Sequence, residues 1–283
     1  MSREIDRRKA EYVAWVAERF ARMEPELAPT DGRLWALNHA RLVMAEGTAS
    51  DQEIRPTTDA AEASRFFEAA KLTGDPDIYF IRFLNTLLDF QHSPLLSDAA
   101  KAHLIGILTA WPRTDLSTMS RWPPIHTENH DLMHLTIVLF AKAFDREDLS
   151  EQVRAVDKHL TLRFERGWVE WNSPCYQYHY SNPLIVLAQH APVEGLRAKA
   201  EDLLNVMLAE RLVMGVDGYL GGPALRCRTA DGHDSLTARK IAYLEDNRYD
   251  GFLPTVWLAP GLGEARFDYE TARVEGLEPA GEH

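Results

Sequence analysis

Cysteine is scarce. The 283-residue chain holds two, Cys175 and Cys227. Two thiols exclude the disulfide framework that staples small secreted domains, and two buried thiols are the simplest reading of them. Basic charge is also short: 31 Lys and Arg against 43 Asp and Glu leave a net charge of -12. Such a chain lacks the basic face whose counterion release drives nucleic-acid binding, although a local basic pocket can still take an anionic substrate. No apolar run reaches the roughly 18 residues that span a bilayer, so no membrane partner is expected. The start, Met1 to Lys9, is charged and is followed by no apolar h-region. No signal peptide is therefore expected, and the expected location is cytoplasmic. Sustained strand alternation, a βαβ rhythm and repeats of about 34 or 40 residues are all missing, which disfavours a doubly wound sheet and a regular solenoid.

What the chain does have is helical periodicity. Hydrophobic residues make up 45% of it, enough for a large core. Tyr12, Trp15, Val16, Ala17 and Phe20 fall on one face of a first helix that ends at Pro25. Asp31 opens a second, which runs up to Gly47, and Thr58 or Asp59 opens a third. Gly74-Asp-Pro76 starts a fourth, and Ser97 or Asp98 caps a fifth that runs to about Trp111. A sixth runs from about Thr127 to Phe144, and a seventh from Asp148 or Ser150 to Gly167. An eighth covers about Tyr176 to Gln189, and a ninth Val193 to about Met214. About nine or ten helices joined by short loops predict an all-α fold of antiparallel hairpins. Curled into an incomplete ring or arc, the hairpins make an α/α toroid, spanning residues 1–265 as a single domain with an irregular C-terminal segment. Residues 266–283 read as a loose acidic tail.

Two polar clusters interrupt this pattern, and they are expected to face each other across a cleft. The first is Arg121-Trp-Pro-Pro-Ile-His-Thr-Glu-Asn-His-Asp-Leu-Met-His134, placed directly before a core helix. Thr127 is positioned to cap that helix, and Glu128 sits at the positive end of its dipole. His126, His130 and His134 are four apart, a spacing that suits a metal helix if the helix reaches back past Pro124. The His-Glu-x-x-His order is absent, however, and no metal or other cofactor is assigned. Acid–base and carboxylate-recognition chemistry by Asn129, His130 and His134 is the competing reading, and a satisfied helix start is the plain one. The second cluster, Glu170 to Asn182, starts a helix at Ser173-Pro174 and places Tyr176, His179 and Tyr180 on one face. Tyrosine and histidine are the usual side chains for moving protons to and from carbon or a glycosidic oxygen. Trp122 and Trp171 add sugar-stacking surface. As plain amphipathic wall residues, Tyr176 and Tyr180 would do no chemistry.

A glycine-rich stretch from Gly215 to Pro223 precedes Arg226 and Arg228, whose guanidinium groups suit a carboxylate or phosphate. Gly-x-Gly-x-x-Gly is not matched there, so no dinucleotide site is expected.

Together these stretches resemble a group of bacterial α/α-toroid proteins. Thr127-Glu-Asn-His130 is similar to their Ser/Thr-Glu-Asn-His helix start. Gly167-Trp-Val-Glu-Trp-Asn-Ser-Pro-Cys-Tyr176 and Gly218-Tyr-Leu-Gly-Gly-Pro-Ala-Leu-Arg226 are similar to their Gly-x-x-Glu-Trp-x-Ser-x-x-Tyr helix and their later Arg-bearing loop. The group looks akin to the toroid domains of alginate lyases, chondroitin lyases and heparinases. That resemblance implies β-elimination on a uronate-containing or otherwise carboxylated saccharide. Asn129 would neutralise the carboxylate, with His130 as its partner or the base. Tyr176, Tyr180 or His179 would move protons. Glu128, His134, Trp122, Trp171, Arg226 and Arg228 would line the substrate. Two alternatives stand beside it. A glycoside hydrolase would use Glu128, Asp131 or Glu170 as its carboxylic pair. A non-catalytic helical module would bind a glycan or peptide on its concave side.

Overall fold

The computed structural model describes residues 13–14, 17–26, 32–44, 50, 52–53, 55, 76–111, 127–169, 177–213, 215–216 and 219–220. The expected third helix lies outside them, as do Arg121 to His126, Glu170 to Tyr176, Arg226, Arg228, both cysteines and the tail. Residues 17–23 are helical and tighten into a 3-10 turn, Glu24–Glu26, where Pro25 stands. Seven longer helices follow: α1 (Gly32–Met44), α2 (Pro76–Phe90), α3 (Asp98–Ala110), α4 (Glu128–Phe144), α5 (Ser150–Arg166), α6 (Gln177–His190) and α7 (Glu194–Val213). The described fold is all-α apart from one pair of two-residue strands. β1 (Gly215–Val216) and β2 (Tyr219–Leu220) pair antiparallel, Gly215 opposite Leu220 and Val216 opposite Tyr219. The residues between them, Asp217 and Gly218, are a strong hairpin dipeptide. The glycine-rich stretch therefore begins as a hairpin rather than as loop alone.

Local chemistry sets the ends of the helices. Pro76 is the first residue of α2, where a missing N–H costs nothing. Ser97 caps α3, its hydroxyl accepting from the Ala100 amide at 3.1 Å. Gly167 ends α5 with φ 67° and ψ -164°, backbone angles that only glycine adopts easily. Its amide donates to the Arg163 carbonyl at 2.8 Å, and the chain then turns so that Trp168 packs back on α6. Gly167→Ala is expected to lower stability by about 1–3 kcal/mol. No atom crowds the added methyl group, so the loss measures the backbone alone, and unchanged urea unfolding would contradict this account.

Side-chain contacts fix the directions of the helices. Asp77 at the start of α2 bonds His130 at the start of α4. Glu128 at the start of α4 bonds Tyr180 near the start of α6. Asp89 and His190, near the ends of α2 and α6, bond each other. The three helices therefore run parallel with their N-termini at one end, and they pack pairwise against one another. α3 and α5 run the other way along α4: Trp111 reaches His134, Arg163 reaches Glu128, and Gln152 donates to the Leu135 carbonyl. α7 packs on both α6 and α5, tied to α5 by Lys199 on Asp157 and Thr161. Among the described helices, a trio of parallel ones thus has α3 and α5 packed against it in the opposite direction. The core between them is aliphatic and aromatic, with Phe80, Phe83, Trp111, Leu132, Ile137, Leu184 and Leu187 all buried. Phe80 meets Trp111 at 4.8 Å and Trp35 meets Phe83 at 4.5 Å, centroid to centroid. Among the described residues, no helix is long and apolar enough to cross a membrane.

Candidate functional site

The polar residues gather where the inner trio begins. Three helix N-termini at one end bring three positive dipole ends together, which favours negative charge there. The chain's own carboxylates answer part of that field. Asp77, 0% exposed, accepts from His130 Nδ1 at 2.6 Å. An ionised carboxylate can only accept, so Nδ1 carries the proton of this bond, and the lone pair lies on Nε2 whenever the ring is neutral. The His130 side chain is 21% exposed while Asp77 is sealed beneath it. This is the base-and-orienter arrangement of nucleophilic and proton-abstracting sites.

Glu128, one residue into α4, is buried between two helices. Its Oε1 accepts from the Tyr180 hydroxyl at 2.9 Å, and its Oε2 is held by Arg163 Nη1. The Tyr180 ring stacks on Trp168 at 4.2 Å with 17° between planes, and the Arg163 guanidinium lies 5.7 Å from the Trp168 ring centroid. Buried charge, hydrogen bond, stacking and cation–π contact thus join α4, α5 and α6 at one point. Thr127 has the extended backbone of an N-cap, but its hydroxyl makes no capping bond. The expected capping bond is not made, and the side chain held at this helix start is that of the next residue, Glu128. Nearby on α5, burial is the main influence that lowers the pKa of His159, with Arg163 adding to it against Asp131 and Glu128.

His179 is the third residue of α6 and is buried. Its pKa is held down at about 3, first by burial and then by Arg82 and His130. Pro183 has no N–H to offer the His179 carbonyl four residues back, so the first turns of α6 are looser in hydrogen bonding than an unbroken helix. Asn129 is 1% exposed, and its Oδ1 has no hydrogen-bond partner among the described residues. His134 turns elsewhere: its Nδ1 accepts from Trp111 Nε1 at 3.0 Å. His130 and His134 share a helix face yet serve different partners. Among the described residues, no three His, Cys, Asp or Glu side chains are grouped to hold a metal ion.

The two expected clusters do meet, through Glu128 with Tyr180 and through His130 beside His179. They meet by direct packing of α4 on α6. Tyr180 is fully buried with its hydroxyl committed to Glu128. Tyr176, Trp122, Trp171, Glu170, Arg226 and Arg228 lie outside the described residues. Sequence reading missed Asp77, Arg82, Arg163 and Trp168. The acid of Pro76-Asp77 looks like an ordinary first-turn residue, and the arginine of α5 like an ordinary last-turn one. It also missed a second polar cluster at the other end of the trio. There Trp35 donates to Thr86 at 3.1 Å, Thr86 and His39 Nδ1 share a bond of 2.8 Å, and His190 donates to Asp89 at 2.8 Å. His39 Nε2 stands 3.8 Å from the same carboxylate. Asp89 lies twelve residue steps along α2 from Asp77, about 18 Å, so this cluster belongs to a different end of the fold.

No family model, curated protein or solved structure matches this chain.

Proposed function

We propose that this end of the inner trio is the active site of an α/α-toroid enzyme that eliminates across a carboxylated, sugar-containing substrate. The observation that carries the reading is the Asp77–His130 dyad, a partly exposed imidazole oriented by a sealed carboxylate at the shared N-terminal end of three parallel helices. In the reaction, the proton on the carbon next to the substrate carboxylate passes to His130 Nε2. Its electron pair becomes the new C=C bond, the C–O bond on the neighbouring carbon breaks, and the leaving oxygen takes a proton from Tyr176 or from the His130 imidazolium. The converging dipoles and Arg82 favour the negative charge that builds up on the way. The parallel trio and the antiparallel α3 and α5 are what an α/α toroid requires of its hairpins, and they support that reading of the described helices.

The hydrolase reading needs two carboxylates, one of them protonated, on either side of a glycosidic bond. Both oxygens of Glu128 are already engaged by Arg163 and Tyr180, which favours elimination.

The test is a screen of uronate polymers and oligomers for the ultraviolet absorbance of an unsaturated uronate. His130→Gln is expected to cut turnover about 10²–10⁴-fold, the usual share of a general base, with circular dichroism unchanged. Full activity in His130→Gln, or no unsaturated product from any uronate, rejects the reading.

A further inference from the structure

Helix α2 is buried along most of its length, and the exceptions are ordered. Ile78, Tyr79, Arg82, Asn85 and Asp89 are the residues of α2 that are not classed as buried. Apart from Tyr79 they recur at four, three and four residues, so they form one stripe along the helix. Bonds fix what lies on either side of it. Asp89 accepts from His190 of α6 at 2.8 Å and stands 3.8 Å from His39 Nε2 of α1, so the stripe runs along the seam between α6 and α1. Towards the start of α2 its polar groups lack partners. Arg82 makes no hydrogen bond or ion pair with any described residue, and none of its nitrogens is sealed from solvent. Asn85 Oδ1, one turn further along, is sealed without a hydrogen-bond partner among the described residues. A mostly buried guanidinium with five donors and no acceptor is costly unless a ligand supplies one. Arg82 lies five residues, about 7.5 Å of helix rise, beyond Asp77. Side chains on a helix lean towards its N-terminus, which brings the guanidinium back towards the Asp77–His130 dyad.

We propose that this seam holds the saccharide beside the dyad, with Arg82 gripping the substrate carboxylate through its guanidinium fork. This assignment rests on the elimination reading above and gives that reading its anion-binding residue. A planar carboxylate and a planar guanidinium match as a bidentate pair, which fixes orientation as well as charge. Asp89 is the one carboxylate on the stripe, and it does not compete for Arg82. Its side chain is 1% exposed and engaged by His190, and it lies seven residues, about 10 Å, along the helix. Abstraction of the proton next to a carboxylate requires that carboxylate to be held close to the base in one orientation. An arginine on the same helix that orients His130 meets that requirement.

Calorimetric titration of the full chain with free glucuronate, and with glucose as control, tests this. The parent is expected to bind glucuronate and not glucose. Arg82→Gln is expected to bind glucuronate about ten- to a hundredfold more weakly, the usual effect of losing a charge-assisted pair. Arg82→Lys keeps the charge but not the fork and is expected to fall between the two. The urea midpoint of both variants is expected to match the parent's, because Arg82 has no bond to a described residue to lose. Undiminished glucuronate binding by Arg82→Gln overturns the assignment. So does a binding loss that comes only with a lowered urea midpoint, which makes Arg82 a structural residue, and so does a parent that binds glucuronate no better than glucose. Elimination by the parent is read separately, by the unsaturated product. Glucuronate binding that depends on Arg82, without any unsaturated product, rejects elimination and keeps the anion site.

Discussion

Arg163→Met is expected to lower the unfolding free energy by about 3–5 kcal/mol, the usual cost of stranding one partner of a buried ion pair. Arg163 and Glu128 are both buried, so water cannot take over the role of the lost guanidinium. The sealed carboxylate keeps the Tyr180 hydroxyl but loses its guanidinium, and Trp168 loses the cation beside its ring. Against a typical domain stability of about 5–15 kcal/mol, this is the largest single-site loss expected of the clamp. The double variant Arg163→Met with Glu128→Leu is expected to recover most of the loss, because it leaves no charge stranded. Urea unfolding of the two single variants and the double completes the cycle. A single variant within about 0.5 kcal/mol of the parent would mean that the pair is screened like a surface bridge, and the clamp would have to be abandoned.

The clamp also bears on the site. Glu128, Asn129 and His130 are consecutive residues of one helical turn, so whatever fixes Glu128 fixes the direction from which His130 leaves the helix. Arg163 holds that turn from α5 and Tyr180 holds it from α6. Neither contact is needed for α4 to be helical, since its apolar face already buries Leu132, Ile137 and Leu139. What they determine is the register of α4 against its neighbours. The clamp is thus a positioning device one residue removed from Asn129 and two from His130.

Helix limits were legible in the sequence because they depend on neighbours a few residues apart. Pro76, Ser97 and Gly167 each act locally, and the observed ends of α2, α3 and α5 follow them. The meeting of the first turn of α4 with the first turn of α6 was legible too, since polar density at two helix starts has few other uses. Which residues serve there was only partly readable. Asp77 and His130 are 53 residues apart, and Asp89 and His190 are 101 apart. No local spacing announces such a pair; it appears only once the three inner helices are known to run parallel. The Thr127 cap failed for a related reason. The backbone takes up the cap geometry, but the carboxylate of the next residue is what tertiary contacts hold in place. The hairpin at Gly215 was hidden because two-residue strands are too short to show alternation.

Acidification is expected to destabilise the protein through His179 well before ordinary carboxylates are protonated. In the folded protein its pKa is about 3, against 6.5 for the unperturbed side chain. The unfolded chain therefore binds a proton that the folded chain refuses. Above about pH 6.5 neither form of this residue is protonated and its contribution is at its most favourable; as pH falls towards 3 the unfolded state gains. In the middle of that window the loss runs at about 1.4 kcal/mol per pH unit. His159 is shifted the same way, chiefly by burial, and adds to the trend. The Asp77 contact of His130 does not reverse it at His179, because that carboxylate is already spoken for. His179→Asn removes the titrating group, so the gap in urea stability between parent and variant should close by that slope as pH falls from about 6 to 4.5. Carboxylates protonate in both proteins and cancel from the difference. Parallel stability curves would show that His179 takes up its proton in the folded state as readily as in the unfolded one, and the predicted slope would have to be given up.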